Sequence, residues 1–222
     1  NSPPVPLEGH SIEQLAFSTN GKLIGCATKS GAVIILELAT QRIRKQFDVP
    51  SAYHYLAFGV NRDGQDLIAI PASERTVKLV NLDEGLERIL EGPMAKIVGV
   101  AFSSNGHRIA SSGNDIFVWN TNTGEVELAI EECSGAIMQV AFSRDGGSIL
   151  SRGWKGSLGL WDLQSGREKM RLLEEFKQTL QSATFSPDGN RIVAGVNNNA
   201  LMVWSAPRVD SMAGTVAEIR SP

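Results

Sequence analysis

Apolar residues along this chain fall in short alternating runs broken by tight polar turns. The stretch 136–163, AIMQVAFSRDGGSILSRGWKGSLGLWDL, shows the unit most clearly. One run ends at Phe142, a turn follows at Asp145-Gly146, a second run covers Ser148–Leu150, and a third ends at Trp161-Asp162. Alternation with period two turns one face of each run toward a core, so the stretch predicts three antiparallel strands. Asp-Gly between such runs predicts a tight type I′ hairpin, whose central residues need positive φ.

The rest of the chain repeats this unit. AFS (16–18), AFG (57–59), AFS (101–103), AFS (141–143) and TFS (184–186) place Phe at 17, 58, 102, 142 and 185, at intervals of 41, 44, 40 and 43. Each Phe is followed by a turn glycine, Gly21, Gly64, Gly106, Gly146 or Gly189, always preceded by Asn or Asp. A third landmark closes each unit at Leu36, Val80, Trp119, Trp161 and Trp204. A period of about 40–45 residues holding four short strands predicts an all-β fold, a β-propeller of four-stranded antiparallel blades. Five blades are visible, approximately 7–48, 49–92, 93–132, 133–176 and 177–205, after a Pro-rich segment at 1–6. Residues 206–222 are a tail or an outer strand. The outer strand of blade five has two candidates, Val5–Glu8 folding back or Thr215–Arg220.

FSPDG (185–189), WDLQSG (161–166) and ERTVKLVNLDEG (74–85) resemble the WD-repeat family of β-propellers, and the resemblance runs from about Leu7 to Ser205. Family blades often carry a Gly-His ahead of the first strand and an Asp ahead of the third, joined in a hydrogen-bond network. Here only Gly9-His10 keeps the first element, and Ser30, Glu74, Gly113, Lys155 and Asn198 stand six residues before the landmark positions. No blade carries both groups. Apolar packing is therefore expected to hold the blades, with a degenerate polar network. The resemblance also implies rings that sit within longer chains beside effector domains. Family rings usually have more blades than five, so a closed ring and an arc of a larger propeller both stay open.

Composition narrows the function classes. The formal charge of −3 gives no electrostatic footprint for general nucleic-acid binding. No run approaches the 18 or so apolar residues of a membrane helix. Cys26 lies in the apolar run LIGCAT and reads as a small buried hydrophobe, with Cys133 in another blade. A disulfide scaffold is not expected, and the cytoplasm is the default compartment. The start NSPPVPLEG shows no signal-peptide pattern.

Chemistry is sparse. His10, His54 and His107 are the imidazoles, and His107 follows a turn, where a solvated hairpin residue is expected. No G-x-S-x-G elbow, P-loop or Cys/His metal spacing occurs, so neither cofactor nor metal is expected. Glu131-Glu132 and Glu174-Glu175 follow outer strands and read as solvated edges. The regularly spaced Phe residues and Trp119, Trp161 and Trp204 read as filling between blades.

Trp154 stands outside the register, in the loop Arg152–Gly156 between the second and third strands of blade four. In WD-repeat proteins the matching loops rim one face, where partners commonly dock. By register Lys29, Ser73, Asn114 and Asn197 share that rim, and Glu13, His54, Val98, Met138 and Gln181 line the same face two residues into each first strand. Arg152, Lys155 and Lys96 flank the tryptophan. An exposed Trp beside Met, Val and basic groups resembles an interface hot spot. The alternative is a Trp154 folded down as a lid on its own blade. The leading expectation is a non-catalytic scaffold that binds another protein or peptide, with further blades or a second copy as possible associates. The runner-up is a small-molecule or hydrolytic site in the central channel, for which Glu13 and His54 supply the convergent pair.

Overall fold

The computed structural model describes residues 7, 11–49, 55–73, 75–92, 97–131, 135–173, 180–197, 200–205 and 216–220. Every regular element among them is a strand, and the strands form five four-stranded antiparallel sheets. Blade one holds β1 (Ile12–Phe17), β2 (Leu23–Thr28), β3 (Ala32–Glu37) and β4 (Arg42–Asp48). Blade two holds β5 (Ala57–Val60), β6 (Asp66–Ser73), β7 (Thr76–Asn81) and β8 (Glu87–Glu91). Blade three holds β9 (Gly99–Phe102), β10 (Arg108–Ser112), β11 (Ile116–Asn120) and β12 (Val126–Ile130). Blade four holds β13 (Ile137–Phe142), β14 (Ser148–Gly153), β15 (Leu158–Asp162) and β16 (Glu168–Leu173). Blade five holds β17 (Leu180–Phe185), β18 (Arg191–Val196), β19 (Ala200–Ser205) and β20 (Val216–Arg220). The pairing of β20 along β19, from Ala200 opposite Arg220 to Trp204 opposite Val216, assigns the outer strand of blade five to the C-terminal candidate.

The core lies between blades rather than inside them. Leu23, Ala27, Val33 and Ile35 of blade one pack with Leu56, Ile68, Ile70 and Val80 of blade two. Equivalent clusters join blade two to three around Trp119, three to four around Trp161, and four to five around Trp204. Phe58, Phe102, Phe142 and Phe185 each pack on the cluster shared with the preceding blade. That contact accounts for the residue at four of its five positions, since alternation turns this position toward the upstream neighbour. Close approach shows at Gly59, where an added Cβ would lie 2.4 Å from the Phe102 ring.

Among the described residues, local polar ties also join neighbouring blades. Gln14 makes a two-way bond with the Leu56 backbone, donating to its carbonyl at 3.2 Å and accepting from its amide at 2.7 Å. Gln139 accepts from the Ala183 amide at 3.1 Å in the equivalent place. Arg44 reaches the Leu82 carbonyl and the Asp83 carboxylate, which it holds below the usual carboxylate range. Inside blade four the Trp161 indole donates to Ser151 Oγ at 2.8 Å. In blade three the matching atoms, Trp119 Nε1 and Ser111 Oγ, are buried without a partner. The sequence argument for a degenerate network turns on a His and an acid in each blade. His10 and Glu74 of that argument lie outside the described residues.

The hairpin between β13 and β14 differs from the expected type I′ turn. Only Gly146 has positive φ, at 69°, and Asp145 keeps the ordinary sign. Ser143 closes a longer turn: its carbonyl accepts from Gly146, and its hydroxyl donates to Asp145 and accepts from the Ser148 amide. A local side-chain acceptor satisfies the amides that a two-residue turn would have left to the ladder. Ser18, Ser103 and Ser186 repeat the arrangement, and Asn61 replaces the serine in blade two. The Ser-x-Asp/Asn-Gly spacing therefore specifies the turn.

Candidate partner-binding face

The loops joining second to third strands and the starts of the first strands meet at one edge of the blades. The Lys29 amide donates to the Ser11 carbonyl at 2.8 Å, and the Trp154 amide donates to the Ala136 carbonyl at 2.8 Å. Each bond ties a second-to-third-strand loop to the backbone just ahead of a first strand. Three first strands also carry a register shift at this edge, between Ile12 and Gln14, Ile137 and Gln139, and Leu180 and Ser182. The extra residue in each shift is Glu13, Met138 or Gln181. A bulge leaves its extra residue unpaired and re-aims the side chain, and bulges concentrate at rims and binding sites. Nothing in the composition of these runs announces them, because no glycine marks the positions.

Exposure sorts the candidates. Trp154 is 68% exposed, which does not fit a lid packed on its own blade. Lys29, Lys155, Asn197, Glu13 and Gln181 are exposed, and Met138 and Val98 are half-buried. His54 and Lys96 lie outside the described residues, and with His54 goes the Glu13–His54 pair of the channel-site reading. Cys26 is buried, and burial pushes its thiol up.

Arg152 differs from its expected place on the surface. It belongs to β14, is only 8% exposed, and donates to the Leu180 carbonyl at 3.0 Å and to Gln139 Oε1 at 3.4 Å. Burial disfavours its charged form, and Tyr55 of blade two lies beside it. The side chain turns inward because it finds acceptors on its own blade and the next. It positions blade five against blade four beneath Trp154.

Five repeating sheets, a core built between them and the recurring Phe and Trp positions fit one fold, and comparison with known proteins names it. The family described as "WD domain, G-beta repeat" matches residues 85–120 and 170–205, which fall on the strands of blades two to five. These matches and the five four-stranded sheets support a WD-repeat β-propeller. "Transcription initiation factor TFIID subunit 5" of Caenorhabditis elegans is 28% identical over 211 residues, covering 94% of the chain and 32% of that protein. "Transcriptional corepressor LEUNIG_HOMOLOG" of Arabidopsis thaliana is 24% identical over 131 residues, 57% of the chain and 17% of that protein. The chain thus spans a third or less of the length of these two relatives.

Two solved structures share the fold of this WD-repeat chain. A chain of "Crystal Structure of Mitotic Checkpoint Complex" superposes with a TM-score of 0.78 at 17% identity, covering 97% of this chain and 66% of that one. A chain of "Kuenenia stuttgartiensis Hydrazine Synthase" does so with a TM-score of 0.76 at 18% identity, covering 97% and 69%. The same architecture serves very different assemblies, so function has to be argued from the face.

Proposed function

We propose that this WD-repeat propeller is a protein-interaction scaffold without catalysis of its own, carried in a longer protein, and that its partner docks on the face bearing Trp154. The observation that carries the reading is the exposure of Trp154 beside a blade whose register tryptophan is buried. Large aromatic side chains left in water at a loop tip, over a rigid support, are the residues interfaces use as anchors. Lys155 and Lys29 give the rim a basic character, and Met138 supplies an adaptable apolar neighbour. WD-repeat relatives that are named as a corepressor and as a subunit of a transcription initiation factor support a role in assembly. The occupant is a protein or peptide, since a chain of net charge −3 lacks the positive field that nucleic acid binding draws on.

The test is capture of a partner from an extract of the source cells on immobilised chain, beside the Trp154→Ala variant. The variant is expected to weaken the captured partner by about 2 kcal/mol or more, the range of a hot spot. Equal retention by both proteins would remove this face from the account.

A further inference from the structure

Arg152 is a buried cation at a place where the other blades need none. Opposite the residue three before the repeated Phe, the second strand carries Ala27 in blade one, Ser112 in blade three, Arg152 in blade four and Gly195 in blade five. Small residues satisfy the packing in three of these blades, so the fold asks for little volume and no charge there. The Arg152 side chain nevertheless turns in and is 8% exposed. A guanidinium stays protonated in proteins, so a full positive charge lies beneath Trp154.

Its contacts are all neutral. Arg152 donates to the Leu180 carbonyl at 3.0 Å and to Gln139 Oε1 at 3.4 Å, and the Tyr55 hydroxyl lies within hydrogen-bonding reach. Gln139 Oε1 is shared, since it also accepts from the Ala183 amide at 3.1 Å. A guanidinium carries five N–H groups, so these contacts leave donors over. Among the described residues no carboxylate pairs with Arg152, whereas Arg44, Arg108 and Arg171 each have one. Burying a charge is costly unless an opposite charge and further hydrogen bonds compensate it.

Tyr55 sets where the guanidinium can be reached. It belongs to blade two, and blade three stands between blades two and four, so Tyr55 and Arg152 meet across the axis that the first strands surround. Tyr55 and Gln139 hold the same place in the repeat, three residues before Phe58 and Phe142, and both are half-buried. A group entering along the axis from the Trp154 edge meets the guanidinium between them. Tyr55 can accept from Arg152 and still donate its own O–H to an oxygen of that group.

We propose that Arg152 and Tyr55 form a carboxylate-binding site at the head of the central channel, filled by an acidic group of the protein or peptide that docks on the Trp154 face. The assignment rests on the reading of that face given above and adds the chemistry of the partner. The planar fork of Arg matches the two oxygens of a carboxylate. One cation also matches its single charge, whereas a phosphate monoester brings nearly two. The acidic group is either a side chain or a chain terminus, since both present the same two oxygens.

NMR of the Arg152 Nε–H group in the 15N-labelled chain tests the proposal, with the signal assigned by its loss in Arg152→Lys, which keeps the charge. The probes, added at constant ionic strength, are acetylated Gly-Glu-Gly amide and acetylated Gly-Gly-Gly with a free C-terminus. Acetylated Gly-Gln-Gly amide is the neutral control, and inorganic phosphate is the competing anion. A carboxylate peptide is expected to shift the signal saturably, and the tighter of the two identifies the source. Tyr55→Phe keeps the ring and is expected to weaken binding about 5-fold, the loss of one hydrogen bond. The proposal is overturned by no response to either carboxylate, an equal response to the Gln peptide, tighter binding of phosphate, or undiminished affinity in Tyr55→Phe. Trp154→Ala is expected to bind the carboxylate peptide as the parent does, so the site and the Trp154 anchor fail separately.

Discussion

At the residue scale, two tryptophans in equivalent places differ in a single hydrogen bond. Trp161 donates to Ser151, whereas Trp119 and Ser111 are both buried without partners. Trp161→Phe is therefore expected to cost about 1 kcal/mol more than Trp119→Phe, because it removes a buried hydrogen bond that Trp119 does not make and leaves Ser151 Oγ only its 3.5 Å bond to the Gly159 carbonyl. Equilibrium urea unfolding of the two variants reads the difference, and equal losses would contradict it. Asp162, which follows Trp161, accepts a hydrogen bond from Lys169 at 2.8 Å that lowers its carboxyl to about 2, helped by Ser165. A depressed carboxylate stabilises the fold above its unfolded-state pKa of about 4 and loses that contribution as pH falls toward 2. Asp162→Asn should flatten the dependence of stability on pH across that window and lower stability at neutrality, where the carboxylate's contribution is fully present. A melt series in acid checks this, and an unaltered slope would show the pair to be idle.

At the element scale, turns and faces respond differently to the same substitution. Gly59→Ala pushes a methyl into the Phe102 ring, so the strand must shift or the ring must leave its place, at a cost of about 1–3 kcal/mol. Gly21→Ala meets nothing within 4 Å but sits at φ +68°, so its cost is the left-handed strain alone, about 1 kcal/mol. Denaturation midpoints of both variants should rank in that order. The blades themselves were legible in sequence, because Phe, the turn Gly and the landmark residue recur at fixed places and each has a single physical task. The bulges at Glu13, Met138 and Gln181 were not legible, since they arise from pairing register between strands and require no special residue there. Nor was the inward turn of Arg152, which depends on the Leu180 carbonyl and Gln139 arriving from elsewhere in the chain. Trp154 was legible for the opposite reason: it breaks a pattern that the other tryptophans keep.

At the scale of the whole molecule, the repeat divides labour between side chains of the same kind. Register residues hold blade to blade, and the residue outside the register is left in water. Trp161 and Trp154 sit in one blade, seven residues apart, and differ in exposure from 6% to 68%. Urea unfolding of Trp161→Ala and Trp154→Ala, measured side by side on the five-blade chain, tests this division most directly. Trp161→Ala is expected to lose about 3–5 kcal/mol, the range for a large aromatic removed from a core, and Trp154→Ala is expected to match the parent protein. A Trp154→Ala variant that loses as much stability as Trp161→Ala would make Trp154 a structural residue and contradict the account.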